Sequence, residues 1–188
     1  MQLIKYAELT LTPWKNGGGI TRDMAGASVG SNHIWRLSMA DVTCDGPFSD
    51  FAGFVRILTV IKGHGMALES QDDVLQADPW VPVRFDGATH VSARLKSDTS
   101  TNLNLMFNPD YCEGNVVILQ GPHHEPLKKS STSRDLFLHC LSGTLSINSD
   151  TTLYPGDTAG LNSLDYEIYL KEGDAAALIT IDLKTLSA

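Results

Sequence analysis

The sequence has little positive charge and no long apolar run, and each shortage excludes a class of protein. It contains 14 Lys and Arg residues against 22 Asp and Glu residues, which gives a net charge of −8. A nucleic-acid-binding surface needs clustered cations that displace counterions from phosphates, so we expect no nucleic-acid partner. No apolar run approaches the roughly 20 residues that cross a membrane, and no secretory h-region opens the chain. We therefore expect neither membrane insertion nor secretion.

Cysteine is also scarce. The chain has 3 cysteines, Cys44, Cys112 and Cys140, and none forms a CxxC pair. An odd number without such spacing does not make a disulfide framework, so reduced thiols in the cytoplasm are the simpler interpretation. We expect each cysteine to act as a small buried side chain.

Common catalytic motifs are missing. The sequence contains neither a GxSxG elbow nor an HExxH helix, and no cysteine lies in a Cys-His signature. We therefore assign no catalytic residue. One alternative stays open, in which Asp41 or Asp45 is the general base of a cofactor-independent isomerase- or hydrolase-type enzyme.

What the sequence does contain is a succession of short strand-like segments. Stretches such as RILTVI, VPVRF, NLNLMF and LFLHCL are rich in β-branched or apolar residues and are bounded by turn-forming residues. Long helical periodicity is nearly absent. Many short strands with frequent turns predict an all-β barrel or sandwich.

A weak internal repeat indicates two barrels in one chain. TVIKGHGMAL (59–68) aligns with HCLSGTLSI (139–147) when Gly63 is matched to Gly143. Each copy reads as a strand, a glycine turn and a second strand, and a further turn of the LxxGD type follows. This order resembles a cupin barrel. We therefore predict an all-β bicupin, with two cupin-like (RmlC-like jelly-roll) halves.

The predicted boundary lies between the two copies. The segment QGPHHEPLKKSSTS (120–133) is rich in Pro, Ser and charge, which is typical of a linker or exposed loop. We assign residues 1–120 to an N-terminal barrel with the ligand pocket and residues 121–188 to a C-terminal barrel. Strand exchange between the halves stays open.

Three long segments carry a resemblance to a known family. PWKNGGGITRDM (13–24), WRLSMADVTCDGPFSDFAGFVRILTVIKGHGMAL (35–68) and NLNLMFNP (102–109) resemble the HutD family, which also includes the proteins called Ves. The resemblance implies a cytoplasmic bicupin that modulates histidine utilisation. It also implies a small carboxylate ligand, of the N-formylglutamate, formate or urocanate type. A homodimer or a regulatory protein partner is compatible with this role.

The metal ligands of other cupins are replaced in this chain. Metal-binding cupins resemble one another in a motif of the form Gx5HxHx3–4Ex6G. If Gly63 is the closing glycine, the Glu position falls on Arg56, and the two His positions fall within residues 49–50 and 51–52. A cation thus stands where an anionic ligand is needed. We expect a barrel without metal or other cofactor.

The triple glycine at residues 17–19 raises the question of an anion-binding loop. It lacks the spacing and the lysine of a Walker A loop, and the strand-like ITRDM after it excludes a dinucleotide fingerprint. Gly17, Gly18 and Gly19 then either form a plain turn or line a pocket in which their N–H groups hold an anion. We favour the pocket. Neighbouring pocket positions are assigned to Trp14, Asn16 and Thr21.

Arg56 is the most informative charge. An arginine that points into a barrel is costly unless its guanidinium meets an anion. Its planar fork suits a small carboxylate, which predicts a ligand contact. The alternative is an internal ion pair with Asp41 or Asp50.

Alternation along strands supplies further candidates. In WRLSMAD (35–41), Arg36 and Ser38 share one face, opposite a face that we expect to be core. In NLNLMF, Asn102 and Asn104 share a face, and Asn104 would offer an amide to a ligand. The remaining candidates for ligand binding are Asp41, Phe48 and Ser49.

Overall fold

The computed structural model describes residues 1–128, 134–162 and 165–184 of the chain. These residues form strands almost throughout, with one short 3₁₀ turn at Tyr6–Glu8. Within the described ranges, no helix is long and apolar enough to cross a membrane.

The strands are numbered in chain order. The first eleven are β1 (Gln2–Ile4), β2 (Leu11–Pro13), β3 (Gly19–Val29), β4 (Asn32–Val42), β5 (Gly46–Pro47), β6 (Val55–Lys62), β7 (Met66–Glu69), β8 (Val74–Ala77), β9 (Val83–Asp86), β10 (Ser92–Leu95) and β11 (Ser100–Phe107). The others are β12 (Cys112–Gln120), β13 (His123–Lys128), β14 (Arg134–Ser142), β15 (Leu145–Ile147), β16 (Thr151–Leu153), β17 (Thr158–Leu161), β18 (Asp165–Leu170) and β19 (Ala175–Leu183).

The chain divides into two compact units. The first unit is Thr10–Cys112, and the second unit combines Met1–Leu9 with Glu113–Ala188. Both the first nine residues and residues 113–120 thus lie with the second unit, whereas the sequence boundaries placed them in the N-terminal barrel. The reason is long-range pairing, because β1 pairs with β17 and β12 lies beside β19.

The first unit contains two antiparallel sheets. One has six strands in the order β2-β3-β4-β11-β6-β9, and the other has four in the order β5-β10-β7-β8. Inward side chains from both sheets form one apolar core, in which Leu58, Val60, Met66 and Leu68 are fully buried. This core supports the sheet face that carries the candidate site.

The second unit repeats this plan. It has a five-stranded sheet in the order β1-β17-β14-β19-β12 and a four-stranded sheet in the order β13-β18-β15-β16. In β18, exposed and buried residues alternate, and Tyr166, Ile168 and Leu170 enter the core. A period of two along a strand is what one buried face requires.

The internal repeat corresponds to a pair of equivalent hairpins. In the first unit, β6 is followed by a glycine turn and by the antiparallel pair β7–β8. In the second unit, β14 is followed in the same way by the antiparallel pair β15–β16. The sequence alignment therefore matched structurally equivalent elements.

The linker interpretation of residues 120–133 is wrong for its first half. His123–Lys128 form β13, which pairs with β18 along its whole length. Pro126 fits there because β13 is an edge strand, where one missing N–H breaks no ladder. Residues 129–133 lie outside the described residues.

The cysteines differ in burial. Cys112 and Cys140 are buried, in agreement with the expectation, but Cys44 is exposed. Cys44 differs because it lies in the loop between β4 and β5 rather than on a strand.

Candidate functional site

A cavity of about 500 Å³ lies in the first unit. Its wall is formed by residues of β2, β3, β4, β6 and β11, by the turn between β2 and β3, and by β5 with the segment that follows it. Pockets of roughly 300–1,000 Å³ are the usual size for small-molecule ligands. The cavity is therefore large enough for a metabolite of several heavy atoms.

Strand register explains how two arginines reach the cavity. Arg36 of β4 and Arg56 of β6 both pair with Met106 of β11, which lies between them. Residues that are paired across adjacent strands project on the same face of a sheet. Both guanidinium groups therefore share the face that lines the cavity.

Arg56 is buried, and only 3% of its surface is exposed. Its Cζ lies 5.3, 5.2 and 5.0 Å from the ring centres of Phe48, Phe51 and Phe85. Burial, and secondly the charge of Arg36, lower the pKa of Arg56 to about 10, so it remains a cation at neutral pH. Its Nε has no hydrogen-bond partner among the described residues. A desolvated cation with a free N–H is poised for an anion.

The internal ion pair considered for Arg56 is wrong. Asp41 instead accepts a hydrogen bond from Arg22 Nη1 at 2.7 Å, and it lies outside the lining of the cavity. Asp50 accepts a hydrogen bond from the backbone N–H of Ala52 at 2.8 Å. Among the described residues, no ion pair includes Arg56.

Polar side chains of β4 and β11 continue the same face. Asn104 pairs with Ser38 across the two strands, and Asn102 lies two residues along β11. All three side chains are buried and line the cavity. In the part of the chain that the structure describes, Asn102 Nδ2 and Asn104 Oδ1 have no hydrogen-bond partner. Because an unsatisfied buried polar atom costs about 1–3 kcal/mol, a ligand that pairs with both atoms would gain affinity.

The lining carries positive charge and no carboxylate. Lys15, Arg36 and Arg56 are its charged residues. Arg36 donates through Nε to Asp23, whose side chain is 60% exposed and lies outside the lining. The cavity is therefore locally cationic, although the whole chain has a net charge of −8.

Trp14 forms an aromatic wall. Its indole Nε1 donates a hydrogen bond to Thr21 Oγ1 at 2.7 Å across the β2–β3 hairpin. Its ring meets the edge of Phe48 at a centroid distance of 5.8 Å and an interplanar angle of 84°. These contacts hold the indole beside Phe48, which is one of the three phenylalanine rings around Arg56.

The three glycines belong to a tight turn in which the first two N–H groups already have hydrogen-bond partners. The N–H of Gly17 donates to Trp14 O at 3.0 Å, and the N–H of Gly18 donates to Asn16 Oδ1 at 3.0 Å. Gly17 needs its positive φ of 72°, and a Cβ on Gly19 would lie 2.5 Å from the carbonyl oxygen of Asp41. The glycines thus allow a tight turn and close packing against the Trp14 ring and the backbone at Asp41. They lie outside the cavity lining.

The structure brings most of the sequence candidates together. Those that line the cavity are Trp14, Asn16, Thr21, Arg36, Ser38, Phe48, Ser49, Arg56 and Asn104. Those that lie outside the lining are Gly17, Gly18, Gly19 and Asp41.

Sequence reasoning missed further lining residues. They are Thr12, Pro13, Lys15, Ala40, Pro47, Phe51 and Asn102. The alternation of NLNLMF already placed Asn102 on the face of Asn104, although only Asn104 was assigned to the ligand. Ala40 continues the alternation of Arg36 and Ser38, so the period of two could have added both residues. Pro47 and Phe51 carried no such signal, because their segment reaches the cavity only through tertiary packing.

The donor atoms of the cavity bear on metal binding. Its lining supplies hydroxyl, amide, ammonium and guanidinium groups and contains no His, Cys, Asp or Glu. Across residues 1–128, 134–162 and 165–184, no three potential metal-ligating side chains of those types are grouped as a metal ion requires. Metal-free binding remains a prediction from the sequence.

Comparison with known proteins gives a family match. The family model described as HutD matches residues 6–181 of the chain. An uncharacterized 21.2 kDa protein in the hutC 3′ region of Pseudomonas putida is 39% identical over 116 residues, which are 58% of this chain and 59% of that protein. The chain thus matches less than two thirds of this curated relative's length.

Solved structures share the fold over nearly the whole chain. HutD from Pseudomonas fluorescens SBW25, solved in a formate condition, is 27% identical, with 98% and 99% of the two chains covered and a TM-score of 0.85. A cupin 2 conserved barrel domain protein from Leptotrichia buccalis is 9% identical, with 97% and 96% covered and a TM-score of 0.61. The predicted all-β bicupin fold is confirmed.

Proposed function

Because the chain belongs to the HutD family, we propose that it is a cytoplasmic protein that binds a small carboxylate metabolite in the cavity of its first unit and thereby modulates histidine utilisation. The location of the Pseudomonas putida relative beside hutC supports the link to this pathway. The formate condition of the Pseudomonas fluorescens structure is compatible with a carboxylate ligand.

One observation carries the proposal. Arg56 is a buried cation that lines a cavity without a carboxylate in its lining. Its Nε has no hydrogen-bond partner within the described ranges. Burying an unpaired guanidinium costs several kcal/mol of folding free energy, which a purely structural role does not explain. A carboxylate that enters the cavity would restore the lost electrostatic interaction.

The neighbouring groups define how an acid would lie. A carboxylate would accept from the N–H groups of the Arg56 guanidinium, whose Cζ lies within 5.3 Å of three phenylalanine ring centres. Asn102 and Asn104 would then pair with a second polar group of the ligand. Formate, urocanate and N-formylglutamate all offer the carboxylate, and they differ in what they offer to the amides.

The enzyme alternative depended on Asp41 or Asp45 as a general base. Asp41 is engaged by Arg22 at 2.7 Å, and Asp45 Oδ1 accepts the backbone N–H of Leu95 at 2.8 Å. Both carboxylates therefore serve the fold, and the proposal stays with binding.

The test is titration calorimetry with formate, urocanate and N-formyl-L-glutamate on the wild type and Arg56→Met. We expect the variant to lose roughly ten- to a hundredfold in affinity, because a charge-assisted contact contributes about 1.5–3 kcal/mol. The fold should survive, since methionine replaces a buried cation with an apolar chain of similar length.

The matched control is Arg94→Met, which removes one arginine from the same unit but outside the cavity. Arg94 is exposed and pairs with Glu69, so affinity should stay at the wild-type value. Equal binding by the wild type and Arg56→Met would contradict the proposal. NMR of the same mixtures would reveal any new product and would then favour the enzyme alternative.

A further inference from the structure

The first 16 residues of the chain form a strap whose two ends belong to different units. At one end, Gln2–Ile4 (β1) pair with β17 of the second unit. At the other end, the five consecutive residues 12–16 all line the cavity of the first unit. After the 3₁₀ turn at Tyr6–Glu8, only Leu9 and Thr10 precede β2. Two residues span at most roughly 7 Å, so the strap has little slack.

One carboxylate holds the docked end of the strap. Asp157 accepts a hydrogen bond from Lys5 Nζ at 2.7 Å and another from the N–H of Tyr6 at 3.2 Å. The Tyr6 ring lies against Gly156, where an added Cβ would be 3.0 Å from the ring carbon Cγ. The Lys5 side chain is 36% exposed, and ion pairs of this kind are weak. Because a chain end with few partly exposed contacts opens locally at low cost, the docked end can detach while the barrels stay folded.

The cavity end of the strap is also lightly held. β2 is the edge strand of its six-stranded sheet, and among the described strands it pairs with β3 alone. It has three residues, all of them exposed, and its Pro13 has no N–H to donate. After β2, the N–H of Trp14 donates to Gly19 O at 2.9 Å. The position of residues 12–16 therefore depends on both neighbours of β2 in the chain, and one of these is the docked end.

We propose that the strap couples its two ends, so that docking of β1 on β17 and occupation of the cavity stabilise each other. A docked strap restricts residues 12–16 in advance, so less conformational freedom is lost when a ligand binds. A bound ligand that touches these residues favours docking in turn, because coupling between two sites is reciprocal. Occupation of the cavity is thereby converted into a change at the sheet edge formed by β1. This inference rests on the proposed function where it assumes an occupied cavity, but the link along the chain is testable without a ligand.

The first experiment needs no ligand. Hydrogen exchange is measured by mass spectrometry on the wild type and on Lys5→Glu, which places a negative charge beside Asp157 and repels the docked end. We expect faster exchange in β1 and β17. The decisive readout is about threefold faster exchange in residues 12–22, which contain most of β2 and the start of β3. Exchange in β11 should stay at the wild-type rate.

The matched control is Lys96→Glu, which changes the net charge by the same amount. Lys96 Nζ and Asp78 Oδ1 are also 2.7 Å apart, and the exposed fraction of the Lys96 side chain is 37%, against 36% for Lys5. This pair lies in the first unit and outside the cavity lining, so its reversal should leave β17 and residues 12–22 unchanged. Lys5→Met removes the attraction to Asp157 without adding repulsion. It should show the same pattern at a smaller size, and it replaces Lys5→Glu if that variant does not fold.

The second experiment uses urocanate as the probe. In calorimetry, Lys5→Glu should bind urocanate about fivefold more weakly than the wild type, which is the lower end of typical coupling between sites. Lys96→Glu should keep the wild-type affinity. Saturating urocanate should also slow exchange in β17 of the wild type by a similar factor, although β17 contributes no residue to the cavity lining.

The outcomes separate this inference from the proposed function. Unchanged exchange in residues 12–22 of both Lys5 variants would overturn the strap, whether or not acids bind. Unchanged urocanate affinity in Lys5→Glu would overturn the coupling and leave the proposed function intact. Failure of urocanate, formate and N-formyl-L-glutamate to bind the wild type would overturn the proposed function and the ligand half of the coupling. Exchange in residues 12–22 would then still decide the link along the chain.

Discussion

Two residues at or near the cavity, Arg56 and Gly19, have opposite relations to the stability of the fold. Arg56 is costly to the fold, because its guanidinium is buried and forms no ion pair within the described residues; the proposed carboxylate ligand would offset that cost. Gly19 has the opposite character. Its missing side chain is explained by the fold, since the Asp41 carbonyl and the Trp14 ring occupy the adjacent space.

We expect alanine substitutions at Gly18 and Gly19 to lower the free energy of unfolding by different amounts. In Gly19→Ala, the new Cβ would lie 2.5 Å from Asp41 O, so we expect a loss of about 1–3 kcal/mol in the free energy of unfolding. In Gly18→Ala, the nearest atoms lie at 3.4 Å, and stability should stay within about 1 kcal/mol of the wild type. Urea unfolding measures both. Equal losses would show that the close approach at Gly19 does not matter.

Because His139 is buried, we expect the stability of the second unit to depend on pH. It is fully buried, its Nδ1 lies 2.8 Å from Thr158 Oγ1, and burial lowers its pKa to about 4 despite the opposing charge of Asp157. In the unfolded chain the pKa is about 6.5. As pH falls below that value, His139 binds a proton in the unfolded state and stays neutral in the folded state. Stability is therefore lost between about pH 6.5 and 4.

The expected size of this loss is about 2 kcal/mol between pH 7 and pH 5, since each pKa unit corresponds to about 1.4 kcal/mol. His139→Gln should lack this contribution and show a correspondingly flatter profile in urea unfolding. If the variant and the wild type lost the same amount of stability, the buried neutral imidazole would not be the cause.

At the scale of elements, β1 shows how far apart in sequence two pairing strands can be. Residues Gln2–Ile4 pair with β17 at the edge of the five-stranded sheet. Beyond β1, Lys5 Nζ donates to Asp157 Oδ2 at 2.7 Å, and the N–H of Tyr6 donates to Asp157 Oδ1 at 3.2 Å. Several hydrogen bonds therefore connect the first nine residues to the rest of the second unit.

Deletion of residues 1–9 should weaken the second unit selectively. The lost backbone bonds and the partly exposed ion pair together suggest a cost of about 2 kcal/mol. Hydrogen exchange should show faster exchange of the β17 amides. The amides of β11, which pair only with β4 and β6, should keep their rates. Faster exchange in β11 and unchanged exchange in β17 would contradict the assignment of these residues to the second unit.

At the scale of the whole molecule, the net charge of the chain and the charge of the cavity lining have opposite signs. The chain is acidic, with 22 acidic and 14 basic residues, yet the cavity lining is cationic. Net charge affects solubility and long-range attraction, whereas the field inside a cleft follows the residues that line it. The acidic composition led to the expectation of no nucleic-acid partner, which stays a prediction, and it gave no indication of a cationic cavity lining.

Local patterns in the sequence predicted the all-β class, the two-barrel plan and the face to which most of the candidate site residues belong. Strand alternation and glycine turns are local, so Ser38, Asn104 and the repeat around Gly63 and Gly143 could be read directly. Tertiary structure alone decided which distant strands pair, which carboxylates are already engaged and how the segment at Phe51 packs. These depend on long-range contacts, which have no local period. For that reason the sequence boundaries grouped β1 and most of β12 with the first barrel, whereas both belong to the second unit by contacts. For the same reason an ion pair was considered for Arg56 that the described residues do not form.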